Sequence, residues 1–335
     1  MKKLVTLAMA IALVLALATA SAATLTLQLS DSQTDGSTVV MADREFARLV
    51  EEATNGEIVI EVFSNGALYT GEAEAVSALQ TGALGLARVS ASAMASYVPE
   101  VNAIQLPYMY KNSDHMWAAL KSEIGTDMFA KFEEYGLVGM CWYDAGSRSY
   151  YITKAAYEKA DFANADLKGI KIRMQDNPMM KDLTNALGGV AISGIGAGEI
   201  YSAITSGTID GAENNAPTYV DHGDYEAADV YVLDCHTRNP EVLLMSKVYA
   251  EMLKSMGYYD VIMECAAKTE EYQRGLWDEF NAAAMEKIAA RGNMIVEIDA
   301  DTQAKYQEKV ASVNASYGAG YEDIIAKIAE IGEAY

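Results

Sequence analysis

The sequence has few of the residues that build metal sites and disulfide frameworks. It contains three cysteines and three histidines in 335 residues. Proline is also scarce, with five residues. Cys141, Cys235 and Cys265 show no C-x-x-C spacing, which argues against a structural zinc site and against a disulfide framework. Two alternatives stay open for them: one disulfide with one free thiol, or three buried free thiols.

Catalytic and cofactor motifs are absent as well. There is no G-x-S-x-G elbow, no phosphate-binding loop and no H-E-x-x-H motif. The glycine-rich run at 194–199 ends in Glu199 and does not complete a G-x-G-x-x-G fingerprint. We therefore expect no cofactor and no enzymatic activity. Because a Ser-His-Asp triad is defined by geometry rather than by sequence, an extracellular hydrolase is kept as the alternative from a different functional class.

Positive charge is scarce in this chain. Lys and Arg total 25 against 47 Asp and Glu, which gives a formal net charge of −22. A field of this sign repels nucleic acid and anionic lipid, so no nucleic-acid partner is expected. Any anionic ligand must be bound by a local cluster of positive groups.

The N-terminus has the pattern of a secretory signal. Two lysines precede an apolar run from Leu4 to Ala18, which is shorter than the roughly 20 residues that a transmembrane helix needs. Small residues predict cleavage between Ala22 and Ala23, so that residues 1–22 form a signal peptide. Loss of the two lysines changes the formal net charge from −22 to −24. Because no cysteine follows the apolar run directly, we expect a soluble periplasmic protein rather than a lipoprotein.

Hydrophobic periodicity predicts two α/β units. The first unit is predicted as strands at 24–30, 57–63 and 83–90, alternating with helices at 37–53 and about 71–81. The second is predicted as a strand at 170–175, a helix at about 177–187, a strand at 190–193 and a helix at 198–206. A helix at about 258–291, a strand at 293–299 and two further helices complete the chain. Alternation of strands and helices is typical of parallel sheets.

Five segments from residue 146 onward carry a family resemblance. In order they read GSRSYY, DLKGIKIRM, ALGG, GEIYSAITSGTIDGAENN and LDCHTRNPEVLLMSK. This order resembles the solute-binding proteins of tripartite ATP-independent periplasmic (TRAP) transporters, and TNGEIVIEVFSNGAL and YVPEVNAIQLPYMY in the N-terminal half agree with it. The resemblance implies capture of a small organic acid and its delivery to integral membrane permease subunits. We expect a monomer. The binding component of an ATP-driven importer is the nearer alternative.

The resemblance also implies the fold. We expect a two-lobed α/β fold of the periplasmic-binding-protein (Venus-flytrap) type, with a long helix that bridges both lobes. Lobe I would comprise residues 23–145 and about 240–280, and lobe II residues 146–239 and about 281–325. The acid would bind between the lobes, and closure about a hinge would hold it there.

Arg173 is the first candidate for ligand binding. The family's central carboxylate-binding arginine falls on this position. Arg173 also lies at the C-terminal end of a predicted strand, where open α/β sheets bind their ligands. Its guanidinium offers a fixed fork that meets a carboxylate with two parallel hydrogen bonds. The alternative is a structural arginine that pairs with a surface acid.

The resemblance supplies further candidates in lobe II. Arg148 matches a second arginine near the crossing between the lobes. Asn214 matches a clamp asparagine, which could instead be a helix cap, and Glu213 precedes it. Tyr219 and His236 are also candidates, with a structural hydrogen bond as the alternative for the histidine.

Strand ends supply the candidates in lobe I. Ser30 and Asp31 follow the first strand, and Arg88 and Ser90 share one face of the third because they are two residues apart. A third cleft arginine would suit a doubly charged or polyhydroxylated acid. The alternative is that Arg88 points outward and pairs with one of the many acids.

Two positions depart from the family pattern. Ala197 stands where many members have an aromatic residue, and Asn215 stands where a proline commonly follows the asparagine. The first departure removes a large side chain from the expected pocket wall. We therefore expect position 197 to border a ligand larger than a C4-dicarboxylate, such as a sugar acid.

Overall fold

Two mixed β-sheets flanked by helices make up the structure. A computed structural model describes residues 24–335, so the predicted signal peptide and its cleavage site lie outside the described residues. The strands are β1 (Leu25–Ser30), β2 (Ile58–Phe63), β3 (Leu86–Ser90), β4 (Leu137–Tyr143), β5 (Ser147–Ile152), β6 (Lys171–Arg173), β7 (Val190–Ile192), β8 (Gly211–Asn214), β9 (Val230–Arg238), β10 (Glu241–Ser246) and β11 (Met294–Glu297).

The helices lie on the faces of these sheets. They are α1 (Thr38–Ala53), α2 (Glu72–Thr81), α3 (Ala91–Met94), α4 (Ser113–Leu120), α5 (Glu123–Glu134), α6 (Lys154–Tyr157), α7 (Pro178–Ala186), α8 (Ile200–Thr205), α9 (Ala216–Asp221), α10 (Lys247–Met256), α11 (Tyr259–Arg291), α12 (Ala300–Gly318) and α13 (Glu322–Gly332). Short 3₁₀ turns occur at Pro99–Ile104, Phe162–Asn164, Ala197–Glu199 and Asp224–Glu226. Within residues 24–335, no helix combines the length and the apolar character needed to cross a bilayer.

Each sheet combines parallel strands with antiparallel returns. The first has the order β2-β1-β3-β10-β4, and the second has the order β11-β9-β5-β8-β6-β7. β1 is parallel to β2 and β3, whereas β10 is antiparallel to β3 and β4. In the second sheet β6 is parallel to β7 and β8, and β5 is antiparallel to β8 and β9. The C-terminal ends of β1 and β3 therefore meet at one edge, as do those of β6 and β8.

The predicted strands and helices are confirmed to within a few residues at each end. The sequence patterns do not predict β4, β5, β8, β9 and β10. The physical reason is burial on both faces: every residue of Leu137–Tyr143 and of Glu241–Ser246 is buried. Strands that are covered on both sides do not alternate between apolar and polar residues.

The chain crosses between the sheets in two short segments and a third time through helix α11. It leaves the first sheet after Tyr143 and enters the second at Ser147, and it returns between Arg238 and Glu241. The predicted lobe limits at 145/146 and 239/240 fall inside these two short segments. Lobe I hereafter means the part built on the first sheet, and lobe II the part built on the second.

Helix α11 is the predicted bridge between the lobes. Its N-terminal part carries Ile262, Cys265 and Ala266 into the lobe I core beside α1 and β4. Its C-terminal part carries Ala284 and Ile288 into the lobe II core beside α9. The two-lobed α/β fold with a bridging helix is thereby confirmed. Helix α12 then packs on lobe II, and α13 returns to lobe I.

Helix α11 also holds the first crossing in place. The Gln273 amide donates to the carbonyl oxygen of Asp144 at 2.8 Å and accepts from its N–H at 2.7 Å. Gly146 has a φ of 59°, and a Cβ there would lie 2.6 Å from the Trp277 ring. Because a larger residue would both strain the backbone and clash, this position requires glycine.

The three cysteines are free thiols. Cys141 and Cys265 are buried in lobe I, and Cys235 is half-buried in lobe II. Of the two alternatives that the sequence leaves open, the structure has the one without a disulfide, although Cys235 is not fully buried.

Candidate ligand-binding cleft between the lobes

Arg173 lies at the boundary between the lobes. It ends strand β6, whose preceding residue Ile172 is buried in the lobe II core, and it stays half-buried itself. Its Nε donates to the carbonyl oxygen of Ile195 at 2.9 Å. Two residues further on, Gln175 reaches Ser90 of lobe I. The strand end that carries Arg173 therefore faces lobe I.

No carboxylate compensates the charge of Arg173. Among residues 24–335, no Asp or Glu oxygen lies within salt-bridge distance of its guanidinium, unlike those of Arg88 and Arg148. Burial lowers the pKa of Arg173, and Glu213 partly opposes this. The group remains charged at neutral pH because the ordinary arginine pKa lies above 12. A partly desolvated cation without a counter-charge is costly in a folded protein, and it is well suited to bind an anion.

Arg148 is engaged within lobe II. Its Nη2 donates to Oε1 and to the backbone oxygen of Glu213, each at 2.9 Å, and its Nε contacts the same carboxylate. Both side chains are buried. Burial alone would raise the pKa of Glu213, but Arg148 and His236 hold it at about 2. Glu213 is therefore ionised, and it occupies the fork that Arg148 would otherwise offer to a ligand.

His236 completes a neutral buried network. Its Nδ1 lies 2.9 Å from Oδ2 of Asp234 and its Nε2 lies 3.5 Å from Oε2 of Glu213. Burial opposes a charge on the ring, but the two carboxylates outweigh it and raise the pKa of His236 to about 9. Two cations, Arg148 and His236, thus face two carboxylates. The network carries no net charge, which leaves Arg173 as the uncompensated cation beside it.

Asn214 shares a sheet face with Arg173. Arg173 is in register with Ala212, and Asn214 lies two residues further along β8. The Asn214 Oδ1 accepts from the N–H of Asn215 at 2.9 Å, whereas its Nδ2 has no hydrogen-bond partner among residues 24–335. The cap of helix α9 is Asn215, whose Oδ1 accepts from the N–H of Thr218 at 2.8 Å. The capping alternative for Asn214 therefore applies to its neighbour instead.

In lobe I, Arg88 is enclosed by carboxylates. Its side chain is 1 % exposed, and it donates to Asp31 at 3.0 Å and to Glu72 and Glu241 at 2.6 Å each. Burial raises the pKa of Glu241 to about 7, although Arg88 opposes this rise, and burial also raises the pKa of the adjacent Asp43. The expectation of a third cleft cation at Arg88 finds no support in this geometry, because its donors are already taken by acids.

The other lobe I candidates surround this cluster. Ser30 is buried, and Asp31 accepts from the N–H of Gln33 at 2.7 Å in addition to binding Arg88. The Ser90 hydroxyl donates to Glu72 at 2.6 Å and caps helix α3. These contacts fix the strand ends that border the cleft.

Tyr219 lies inside the lobe II core. Its ring stacks on Tyr231 at a centroid distance of 5.1 Å and packs against Tyr151 at 4.5 Å. Its hydroxyl donates to the carbonyl oxygen of Ala228, and it is fully buried. The geometry gives Tyr219 a packing role and no contact with the cleft.

The lobes touch across the cleft at side chains that the sequence analysis does not single out. The Gln175 Nε2 donates to Oγ of Ser90 at 3.3 Å, and the Ser96 hydroxyl donates to the backbone oxygen of Asp176 at 3.2 Å. The sequence spacing could have indicated Gln175. It lies two residues beyond Arg173, and in an extended chain side chains two residues apart point to the same side.

A further contact across the cleft joins His222 of lobe II to Gln33 of lobe I. The His222 Nδ1 lies 3.4 Å from the carbonyl oxygen of Ala197, and its Nε2 lies 3.3 Å from Oε1 of Gln33 in lobe I. No sequence signal indicates this arrangement, because the three positions are brought together only by the fold. Arg238, at the second crossing, is also half-buried without a carboxylate at salt-bridge distance among residues 24–335, and burial lowers its pKa.

Two α/β lobes joined by two crossings and a bridging helix, with a half-buried uncompensated cation between them, define a protein that binds a small solute in its cleft. The sequence profile of "Bacterial extracellular solute-binding protein, family 7" matches residues 29–319. The chain therefore belongs to this family, and the resemblance to TRAP solute-binding proteins is confirmed.

Related proteins and structures agree with this assignment. A TRAP periplasmic solute-binding protein from Pseudomonas putida F1, solved with bound D-glucuronate, is 34% identical with a TM-score of 0.84, covering 91% of this chain and 96% of that one. One from Bradyrhizobium sp., complexed with α/β-D-galacturonate, is 30% identical with a TM-score of 0.84, covering 92% and 99%. A solute-binding protein of Chromohalobacter salexigens is 31% identical over 86% of this chain and 83% of its own.

Proposed function

We propose that this protein captures a sugar acid for a TRAP transporter and that the ligand carboxylate binds Arg173. The observation that carries the proposal is the uncompensated guanidinium of Arg173 at the boundary between the lobes. Its Nη1 and Nη2 have no hydrogen-bond partner among residues 24–335. Two parallel charge-assisted hydrogen bonds to one carboxylate would satisfy both.

The charge distribution favours a ligand with one carboxylate. Arg148 is neutralised by Glu213, so Arg173 is the cation that lobe II offers beside β6 and β8. Lobe I presents three carboxylates around the single guanidinium of Arg88. A second ligand carboxylate would be repelled there, whereas ligand hydroxyl groups could donate to these acids. A polyhydroxylated monocarboxylate therefore fits this cleft better than a dicarboxylate does.

The relatives with bound D-glucuronate and D-galacturonate support the same ligand class. Asn214 and Gln175 are the polar side chains that we assign to the sugar hydroxyl groups. Arg148 and Glu213 act behind them by fixing the ends of β5 and β8. The small side chain of Ala197 leaves space for a ring larger than a C4-dicarboxylate.

The proposed cycle takes place in the periplasm after removal of residues 1–22. The acid binds Arg173 in the open cleft, contacts from lobe I then stabilise the closed form, and the monomeric loaded protein docks on the membrane permease. An ATP-driven importer would be favoured instead if its ATPase gene, rather than genes for a large and a small permease subunit, lay beside this gene. A turnover assay on sugar acids tests the hydrolase alternative, and we expect no product.

A thermal-shift screen with calorimetric titration tests the ligand class. The ligands are D-glucuronate, D-galacturonate, succinate and D-glucose, the last as a neutral match for the uronates. We expect the best uronate, at 100 times its dissociation constant, to stabilise the folded protein by about 2.7 kcal/mol. Equal stabilisation by glucose would refute the carboxylate site, and stronger stabilisation by succinate would refute the preference for one carboxylate.

A further inference from the structure

His222 sits where the two lobes meet beside the proposed carboxylate site. It follows helix α9 in lobe II and is half-buried. It contacts Ala197 in its own lobe and Gln33 in lobe I, at 3.4 Å and 3.3 Å. Burial lowers the pKa of His222, and the charge of Arg173 lowers it further, against a contribution from the Ala197 carbonyl. The ring is therefore within electrostatic reach of Arg173.

The partner across the cleft is held firmly in lobe I. The Gln33 N–H donates to Asp31 at 2.7 Å, and its carbonyl oxygen accepts from the N–H of Asn65 at 2.7 Å. The backbone of Gln33 is thus fixed to the strand end of β1, while its side-chain amide extends towards lobe II. A contact between His222 and this amide reports directly on the distance between the lobes.

Hydrogen-bond chemistry limits how His222 can satisfy both neighbours. Both ring nitrogens face an oxygen, and a neutral ring carries one proton, so His222 can donate either to the Ala197 carbonyl from Nδ1 or to Oε1 of Gln33 from Nε2, but not to both. The nitrogen without the proton is then an acceptor that faces another acceptor, and it lacks a donor in this arrangement. Both contacts are longer than the usual 2.9–3.0 Å, so they are weak and are readily exchanged for better partners.

We propose that His222 is a specificity-determining residue of the cleft, which hydrogen-bonds a hydroxyl group of the bound sugar acid and, with Gln33, joins the lobes over the ligand. The proposal rests on the proposed function, because it places the ligand between Arg173 and Ala197. A hydroxyl group both donates and accepts, so it can replace either weak contact of the ring without leaving a nitrogen unsatisfied.

Three substitutions separate hydrogen bonding from packing. His222→Ala removes the ring, His222→Phe keeps a ring without nitrogens, and His222→Gln keeps a donor and an acceptor. In calorimetric titrations with the uronate that binds the wild type best, we expect about fivefold to tenfold weaker binding for the Ala and Phe variants. The Gln variant should stay within about threefold of the wild type. Circular dichroism and melting temperature check the fold of each variant.

The pairing with Gln33 has its own test. The loss in the double variant Gln33→Ala/His222→Ala should be smaller than the two single losses combined, because each single change already removes the shared contact. Additive losses would overturn the pairing. Wild-type affinity in both His222→Ala and His222→Phe would overturn the ligand role, and retention in the Phe variant alone would reduce it to packing.

The chain provides a matched control in His115. This buried lobe I histidine lies 2.7 Å from the carbonyl oxygen of Ile328 and accepts from the N–H of Lys111, on the side of α4 that packs against α13. In NMR titrations we expect the uronate to shift the side-chain signals of His222 and to leave those of His115 unchanged. Unchanged His222 signals in a protein that binds the uronate would overturn this inference and leave the proposed function standing. If no uronate binds the wild type, the proposed function itself fails.

Discussion

Arg88 in lobe I and Arg173 in lobe II have similar local positions and opposite electrostatic surroundings. Both lie on parallel strands near their C-terminal ends. Arg88 is surrounded by three carboxylates, whereas Arg173 has none at salt-bridge distance among residues 24–335. Arg148 is intermediate, with one carboxylate. The comparison teaches that the role of a strand-end arginine depends on its counter-charges: an enclosed arginine stabilises the fold, and an uncompensated one can bind a ligand.

Replacing Arg88 should have the largest effect, which should be a loss of stability of the folded protein. Arg88→Met leaves three buried carboxylates without their cation, and breaking a buried ion pair in this way costs about 3–5 kcal/mol. We expect a loss of that size in the free energy of unfolding, measured by urea titration with circular dichroism. Arg48→Met is the control, because Arg48 pairs with Glu45 and Glu52 on the exposed face of α1. An equal effect in the control would contradict the structural role of the Arg88 cluster.

Replacing Arg173 should instead weaken the affinity for the ligand and leave the stability of the fold unchanged. Arg173→Lys keeps the charge but loses the two-pronged geometry, because an ammonium group is a single point of charge. We expect the uronate to bind more weakly by about 1.5–3 kcal/mol, the range for hydrogen bonds to charged groups. The melting temperature without ligand should stay close to that of the wild type, as it should in Arg48→Lys. Wild-type affinity in a folded Arg173→Lys protein would move the carboxylate site elsewhere.

The two buried networks should also titrate in different pH windows. In lobe I the folded-state pKa of Glu241, about 7, lies above the ordinary glutamate value of 4.5. The folded state therefore retains a proton that the unfolded state has released, and stability falls as the pH rises from about 4.5 to 7. Glu241→Gln should remove this part of the slope, on the order of 2 kcal/mol between pH 5 and 7.5.

The buried network of lobe II affects stability at higher pH. The pKa of His236 is raised from 6.5 to about 9, so its contribution is complete below pH 6.5 and is lost as the pH rises through 9. His236→Gln should flatten the stability curve between pH 6.5 and 9 and leave the lower window unchanged. Urea titrations at four pH values measure both variants. Flattening of the same window in both would contradict the separation of the two networks.

The fold was predictable where apolar residues alternate or follow a helical period. The strands β1 and β2 and the helices α1 and α11 belong to this group. Strands β4 and β10 were not predictable, because every residue in them is buried and no alternation of apolar and polar residues remains in the sequence.

For the cleft, the family motif and the strand end together indicated Arg173 at the lobe boundary. The motif could not indicate that the Glu213 carboxylate binds the guanidinium of Arg148, or that the carboxylates of Glu72 and Glu241 bind that of Arg88. Each of these pairings joins residues that are far apart in the chain, so only the assembled sheets bring the charges together. The contact between Gln33 and His222 has the same cause, since 189 positions separate them.

Ala197 offers the smallest of the expected effects and the sharpest test of where the ligand ends. Its carbonyl faces His222 across a half-buried wall of the cleft. On the proposal of a sugar acid bound between Arg173 and this wall, Ala197→Phe inserts a ring into space that the ligand uses. We expect the native uronate to bind more weakly by about 1 kcal/mol, the lower end of the range for overpacking, because a cleft wall yields more than a closed core.

Calorimetric titration of Ala197→Val and Ala197→Phe decides this last point. The loss of affinity should grow with the volume of the side chain, since steric exclusion is graded, while the melting temperature without ligand stays unchanged. A loss of the same size in both variants would indicate a backbone disturbance at the Ala197–Glu199 turn rather than exclusion of the ligand. Wild-type affinity in the Phe variant would show that position 197 does not border the bound acid, and the argument from this position for a ligand larger than a C4-dicarboxylate would then fail.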